Sequence, residues 1–204
     1  MSQDRLTLHD LLPAQELAAA IEAGHVTRKR HPDLPLSLYT YTRTAQYERV
    51  WNQVTTRCRG LVADDATGAI VALPLPKFFN VGEHESGQPY APALPDEPFE
   101  VYDKVDGSLA VVFHYAGRWR AASKGSFTST QATWAQRHLD ARDTTALVPG
   151  TSGSEPGRVT ALASASQRRT TRARVGLLQA TVATPLVVGA AYRSITAPLS
   201  CAKL

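Results

Sequence analysis

The sequence predicts an α+β protein whose sheets are mostly antiparallel, with helices flanking the strands. Two observations carry this prediction. Strand-like segments are separated by short turns that contain Gly and Asp, which is typical of hairpins. Helical spacing of apolar residues occurs at 11–23 and again at 128–141, on either side of these strands. Short connections favour antiparallel over parallel pairing, since parallel strands need long crossovers.

The first predicted element is a helix at 11–23. Pro13 suits the first helical position, Leu17 and Ile21 lie four residues apart, and Gly24 is a typical stop. These signals together predict one amphipathic helix near the N-terminus.

The next segments are predicted from charge and alternation. The basic run at 28–30 is expected to be a solvated loop. Residues 36–42 alternate and predict a strand, with Tyr39 and Tyr41 on one face. A short helix is expected at 47–54.

A first hairpin is predicted from strand-like segments at 58–63 and 69–73. The sequence DDATG at 64–68 is a typical turn between them. A loop rich in Pro and Gly is expected up to Pro98, and a strand at 99–104.

A second hairpin is predicted from the strand-like segments 108–115 and 119–123, closed at Ala116 and Gly117. A helix is expected at 128–141, because Ser and Thr at its start are good N-caps and an apolar face follows.

Charge is distributed unevenly along the chain. The net charge is +4, yet residues 1–150 hold 15 Lys and Arg against 17 Asp and Glu, whereas residues 151–204 hold 7 against one. Beyond about Gly150, Ser, Thr and Ala dominate and the basic stretch 167–174 has no visible period. Such a change is typical of a linker, a disordered tail or a wrong reading frame. We therefore divide the chain into a domain at 1–150 and a basic, low-acid tail at 151–204, which could bind nucleic acid through phosphates.

Several protein classes are excluded by composition. Cys58 and Cys201 are the only cysteines, so neither a disulfide framework nor a CxxC metal site is expected. The weakly polar stretch 175–192 is too short and too mixed for a membrane span. The N-terminus has no charged segment followed by an apolar run, as a signal peptide would. A cytoplasmic location is expected.

A candidate nucleophile lies in the sequence KVDG at 104–107. The neutral amine of Lys104 could attack phosphorus once burial or a nearby cation lowers its pKa. Gly107 would let backbone and nucleotide approach closely. Alone, K-x-D-G is a weak motif that also fits a polar hairpin turn.

Three further motifs strengthen this interpretation. RCRG at 57–60, KFFN at 77–80 and SKGS at 123–126 each adjoin the end of a predicted strand. They would gather Arg59, Lys77 and Lys124 around one region. Cations there would lower the pKa of the nucleophilic lysine and hold a triphosphate, although each alone is more often a solvated charge.

In order and spacing, these motifs resemble the phage-type ATP-dependent RNA ligases, the family of the tailed-phage enzyme that repairs cleaved tRNA. The resemblance covers about residues 36–140 and includes Tyr39. It implies a covalent nucleotidyltransferase (ATP-grasp-like) fold, of which this chain holds the N-terminal part. It also implies ATP and Mg²⁺ as cofactors, and RNA with 5′-phosphate and 3′-hydroxyl ends, such as cleaved tRNA, as substrate.

The resemblance further implies a role for each matching residue. Lys104 would carry AMP, and Asp106 and Gly107 would shape its loop. Tyr39 matches an active-site tyrosine, and Phe79 matches an active-site aromatic that could equally be a core residue. The residues implied to be catalytic, all of which would also contact the nucleotide, are Arg59, Lys77, Lys104 and Lys124.

The family's later motifs lack clear counterparts in this sequence. These are a glutamate that holds the ribose, a Glu-Gly segment for metal and a Lys-x-Lys pair for the α-phosphate; only EPGRV at 155–159 faintly resembles the first. Metal ligands therefore remain unassigned. We expect a domain incomplete at its C-terminal end that adenylylates itself slowly or not at all and does not seal RNA unaided. The alternatives are a non-catalytic nucleotide- or RNA-binding module and a sister enzyme of the DNA ligase or capping type.

Overall fold

A computed structural model describes residues 6–96, 108–144 and 160–163 of the chain. The chain divides into two compact units, one formed by Met1–Lys77 with Val105–Thr184 and the other by Phe78–Lys104 with Pro185–Leu204. In its described residues, the first unit contains two sheets and five helices. The described part of the second unit is the segment 78–96.

The N-terminal region forms two helices where the sequence predicted one. Helix α1 is Leu8–Leu11 and helix α2 is Ala14–Glu22. Leu12, between them, has an extended backbone because the proline that follows it disfavours the helical conformation at the preceding residue. Pro13 is accordingly the N-cap of α2 and not its first helical residue. Gly24, with φ of 73°, lies just beyond the end of α2, as predicted.

The first sheet is an antiparallel meander of four strands in the order β1-β2-β3-β4. Its strands are β1 (Val26–Arg30), β2 (Leu36–Tyr41), β3 (Arg59–Asp64) and β4 (Ile70–Ala72). The prediction of a loop at 28–30 was wrong, since these residues lie in the edge strand β1. Their exposure was predicted correctly, and charged side chains on an edge strand discourage pairing with other chains.

Two short helices connect β2 to β3. They are α3 (Arg43–Tyr47) and α4 (Gln53–Arg57), so the predicted helix at 47–54 was wrong. Arg49 has a φ of 55°, which breaks the helical path, and the side chain of Asn52 accepts the backbone N–H groups of Val54 and Thr55 to start α4. In the second unit, helix α5 (Val81–Glu85) occupies part of the predicted loop.

The second sheet has the order β6-β5-β7 and is also antiparallel. Its strands are β5 (Leu109–Tyr115), β6 (Arg118–Ser123) and β7 (Thr160–Ala163). The predicted hairpin is confirmed, with positive φ at both Ala116 and Gly117, as a tight two-residue turn requires. Helix α6 (Thr130–Asp140) follows, capped by the Ser129 hydroxyl, which confirms the predicted helix.

The strands β2 and β3 bury both of their faces. One face packs with α1, α2 and α4 through a cluster that includes Leu12, Val54 and Leu61. The other face packs against the second sheet through a cluster that includes Leu38 and Val111. The first sheet is therefore covered by helices on one side and by the second sheet on the other, and its central strands β2 and β3 are packed on both faces.

The predicted fold class is thus confirmed as α+β with antiparallel sheets and flanking helices. The nucleotidyltransferase fold stays a prediction. The predicted strand at 99–104 lies outside the described residues, and so does the tail at 151–204 apart from β7. Within the part of the chain that the structure describes, no helix is long and apolar enough to cross a membrane.

Candidate functional site

A bulge in strand β3 brings the motifs RCRG and SKGS together. Tyr39 pairs with Leu61 while Thr40 pairs with Arg59, so Gly60 is the extra residue of the bulge, with a φ of 90°. A Cβ atom on Gly60 would lie 3.2 Å from the carbonyl oxygen of Lys124. Only glycine therefore combines this backbone conformation with so close an approach to the Lys124 segment.

The SKGS segment is a tight turn held by its own serines. The Ser123 backbone N–H and hydroxyl both donate to the Ser126 carbonyl, at 2.9 and 3.0 Å. The Ser126 hydroxyl accepts the backbone N–H groups of Thr128 and Ser129, both at 3.1 Å, and the Ser129 hydroxyl donates to that of Ser123. These bonds fix the backbone from which the side chain of Lys124 projects.

Two lysines contact a pair of aromatic rings. The Nζ atom of Lys124 lies 4.0 Å from the ring centroid of Tyr41, and that of Lys77 lies 5.3 Å from the ring centroid of Trp51. The two rings pack edge to face with centroids 5.1 Å apart. Both separations are within cation–π range, so the rings favour cations at these positions.

Arg59 supplies a third cation beside the same tyrosine. Its Nη1 donates to the Leu75 carbonyl at 3.3 Å. Burial lowers the pKa of the Arg59 guanidinium, and its hydrogen bond with Tyr41 acts in the opposite direction. A guanidinium stays protonated at neutral pH despite such a shift. The backbone N–H of Lys77 donates to the Thr56 carbonyl at 2.8 Å, which ties the start of KFFN to helix α4.

We call these five residues the cationic site: Tyr41, Trp51, Arg59, Lys77 and Lys124. Three positive charges gathered around two rings suit an anion with several oxygens, such as a phosphate chain. Within the described residues, no group of three His, Cys, Asp or Glu side chains could hold a metal ion. The three cations support the binding of phosphates and the stabilisation of charge that develops on them.

Sequence reasoning named Tyr39 but missed Tyr41 and Trp51. Tyr39 is buried in the cluster that faces the helices, with the Arg28 guanidinium 5.9 Å from its ring centroid, and burial raises the pKa of its hydroxyl. The alternation that predicted Tyr39 and Tyr41 on one face of the strand was the signal that could have pointed to Tyr41. The functional role of Tyr39 stays a prediction.

Of the remaining predicted residues, one belongs to the second unit and three lie outside the described residues. Phe79 belongs to the second unit, where it is buried and packs against Tyr90 with ring centroids 4.8 Å apart. This packing agrees with the core interpretation, and a role in the active site stays untested. Lys104, Asp106 and Gly107 lie outside the described residues.

Two comparisons with known proteins bear on this site. Residues 57–151 match a family model described as RNA ligase. A curated relative named "Putative bifunctional polynucleotide kinase/RNA ligase", from Autographa californica nuclear polyhedrosis virus, is 36% identical over 78 residues. That match takes in 36% of the chain and 11% of the relative, so the chain spans about a tenth of that protein. The segment matched by the family contains Arg59, Lys77, Lys104 and Lys124, and over residues 57–151 the resemblance to RNA ligases drawn from the motifs is confirmed.

Proposed function

We propose that this chain carries the N-terminal part of the nucleotidyltransferase domain of an ATP-dependent RNA ligase, which works through a lysyl-AMP intermediate on Lys104. The observation that carries the proposal is the convergence of Arg59, Lys77 and Lys124 on Tyr41 and Trp51. All three cations belong to the segment that matches RNA ligases. A cluster of this kind, in such a sequence, supports nucleotide chemistry over a purely structural role.

In the first step, the neutral amine of Lys104 attacks the α-phosphorus of ATP. A nitrogen–phosphorus bond forms, the bond to the pyrophosphate oxygen breaks, and the amine loses a proton. The nucleophile must be deprotonated beforehand, and neighbouring positive charge lowers the pKa of an amine. The cationic site would provide such charge if Lys104 approaches it.

The cationic site would act on the negative charge that develops during this step. Charge increases on the pyrophosphate leaving group, and catalysis of such transfers depends mainly on cations held in place beforehand. The serine-held turn under Lys124 and the hydrogen bond of Arg59 to Leu75 restrict how far these two cations can move. Preorganisation of this kind avoids the cost of ordering them during the reaction.

Two further steps would complete the joining of RNA ends. AMP passes from Lys104 to an RNA 5′-phosphate, and a 3′-hydroxyl then attacks that phosphate and releases AMP. Magnesium, when bound with ATP, would neutralise phosphate charge. The cationic site consists of cations and aromatic side chains and offers the metal no carboxylate ligands. Cleaved tRNA is the substrate that the family resemblance suggests.

The test is covalent labelling of the chain. The protein is incubated with ATP labelled at the α-phosphate and Mg²⁺, denatured, and examined for retained label. We expect slow labelling of the wild type, in line with an incomplete domain, and no label on Lys104→Ala or Lys104→Arg, because a guanidinium stays protonated and cannot replace the amine. Lys29→Ala is the matched control, since Lys29 is an exposed strand lysine that should not affect labelling.

Each other outcome would favour a different function. Label from GTP instead of ATP would indicate an enzyme of the capping type. ATP binding without covalent label would indicate a non-catalytic nucleotide-binding module. Label that survives both Lys104 substitutions would place the nucleophile elsewhere and contradict the proposal.

A further inference from the structure

A second basic surface lies between strand β6 and helix α6. It is a cleft of about 290 Å³. Its cations are Arg118, Arg120 and Arg137, and His31 and Phe127 form part of its wall. We call this surface the arginine cleft. It shares no residue with the cationic site.

The arginines of the cleft are held to different degrees. The Nε of Arg120 donates to the Tyr115 carbonyl at 3.2 Å, which fixes the side chain next to the turn of the hairpin. Arg118 pairs with Asp140 at 3.2 Å, and both side chains are largely exposed. Arg137 is exposed, and its side chain makes no hydrogen bond or ion pair with any described residue. Asp140 offsets one of the three charges, so the cleft keeps a positive excess.

An aromatic wall adjoins these charges. The rings of His31 and Phe127 pack at a tilt of 59°, with centroids 4.9 Å apart, and Phe113 also lines the cleft. The Nδ1 of His31 accepts the backbone N–H of Asp33 at 3.1 Å, which leaves the proton on Nε2 as a donor. Burial lowers the pKa of His31, which favours the uncharged ring. The cleft therefore combines guanidinium groups, an imidazole N–H donor and apolar ring surface.

We propose that the arginine cleft binds a single-stranded segment of the RNA substrate, an inference that rests on the proposed ligase function. A guanidinium group can donate two parallel hydrogen bonds to the oxygens of one phosphate, and aromatic or guanidinium planes stack on bases. A free phosphate would use the charges but not the ring surface. Phe127 lies three residues beyond Lys124. An RNA strand bound in the cleft would therefore contact the chain segment that also carries Lys124 of the cationic site.

The test is RNA affinity measured by fluorescence anisotropy on the full chain, with a short labelled single-stranded RNA over a range of salt concentrations. Arg118→Ala with Arg137→Ala should weaken binding about tenfold and flatten the slope of log affinity against log salt by about 0.7 for each lost phosphate contact. Both positions are exposed, so the fold should survive. Arg43→Ala, an exposed arginine of α3, is the matched control and should leave affinity within about twofold.

Covalent labelling with ATP separates this proposal from the proposed function. The double variant should label as the wild type does, because the cleft shares no residue with the cationic site. RNA affinity and salt slope that match the wild type would overturn the cleft proposal. Parallel loss of labelling and RNA binding would also overturn it, since the cleft would then belong to the nucleotide site. If neither the wild type nor any variant is labelled by ATP, the proposed ligase function is refuted. An RNA affinity of the double variant equal to that of the wild type would still refute the cleft proposal independently.

Discussion

The cationic site and the arginine cleft both place three cations beside aromatic rings, but they are built differently. The cationic site collects side chains from five separate stretches of sequence and depends on the Gly60 bulge for the approach of Lys124. The cleft is built largely from the second hairpin and the helix that follows it. The cationic site, with cations held in place by distant parts of the chain, suits chemistry on one phosphate chain. The arginine cleft, which is local in sequence and exposed, suits the binding of a flexible RNA strand.

The largest expected effect separates the two regions directly. Lys124→Ala removes a cation from the cationic site without touching the cleft. It should slow covalent labelling by ATP about a hundred- to a thousandfold, the usual cost of one preorganised electrostatic contact. RNA affinity should change by less than about twofold. Rate measurements of labelling alongside anisotropy test this, and equal losses in both assays would show that the two regions act as one site.

A smaller effect is expected from the bulge that assembles the cationic site. Gly60→Ala forces a left-handed backbone on alanine and adds a Cβ 3.1 Å from Val111 and 3.2 Å from the Lys124 carbonyl. We expect a loss of about 2–3 kcal/mol in the free energy of unfolding, measured with denaturant. Gly82→Ala is the control, because Gly82 is helical, has open space around it and should be neutral or slightly stabilised. A Gly60→Ala protein as stable as the control would refute the argument about close approach.

The smallest expected effect concerns the hydrogen bond that links the two sheets. The Tyr115 hydroxyl donates to the Asp64 carboxylate at 2.7 Å. Burial acts to raise the pKa of Asp64, but hydrogen bonds from Tyr115 and from the turn outweigh it and lower the pKa. Tyr115→Phe should therefore cost about 1 kcal/mol in the free energy of unfolding at neutral pH.

The pH dependence of that cost has a definite sign. Because the folded pKa of Asp64 is depressed, its contribution is complete above the unfolded value of about 3.9 and is lost as the pH falls through the folded value. The difference between Tyr115→Phe and wild type should shrink below about pH 4. Tyr47→Phe, at a side chain 83% exposed, should show no difference at any pH. If the difference in free energy of unfolding between Tyr115→Phe and the wild type grew as the pH fell, this account would be contradicted.

The sequence predicted local features better than long-range ones. Turns at 64–68 and 116–117 were predictable because Gly and Asp encode their backbone locally. The break at Arg49 was not, since nothing in that residue type signals a positive φ. The distinction between Tyr39 and Tyr41 was equally hidden, because alternation gives them one face and only the tertiary neighbours decide which ring meets Lys124.

The most direct test of the central claim is the location of AMP on the chain after reaction with ATP. The reacted protein is digested and the peptides are examined by mass spectrometry under neutral conditions that preserve a phosphoramidate. The account predicts the added mass of one AMP on the peptide that contains Lys104, and a much smaller amount when Lys124→Ala is treated in parallel. AMP on any other lysine, or equal modification of the Lys124→Ala protein, would contradict it.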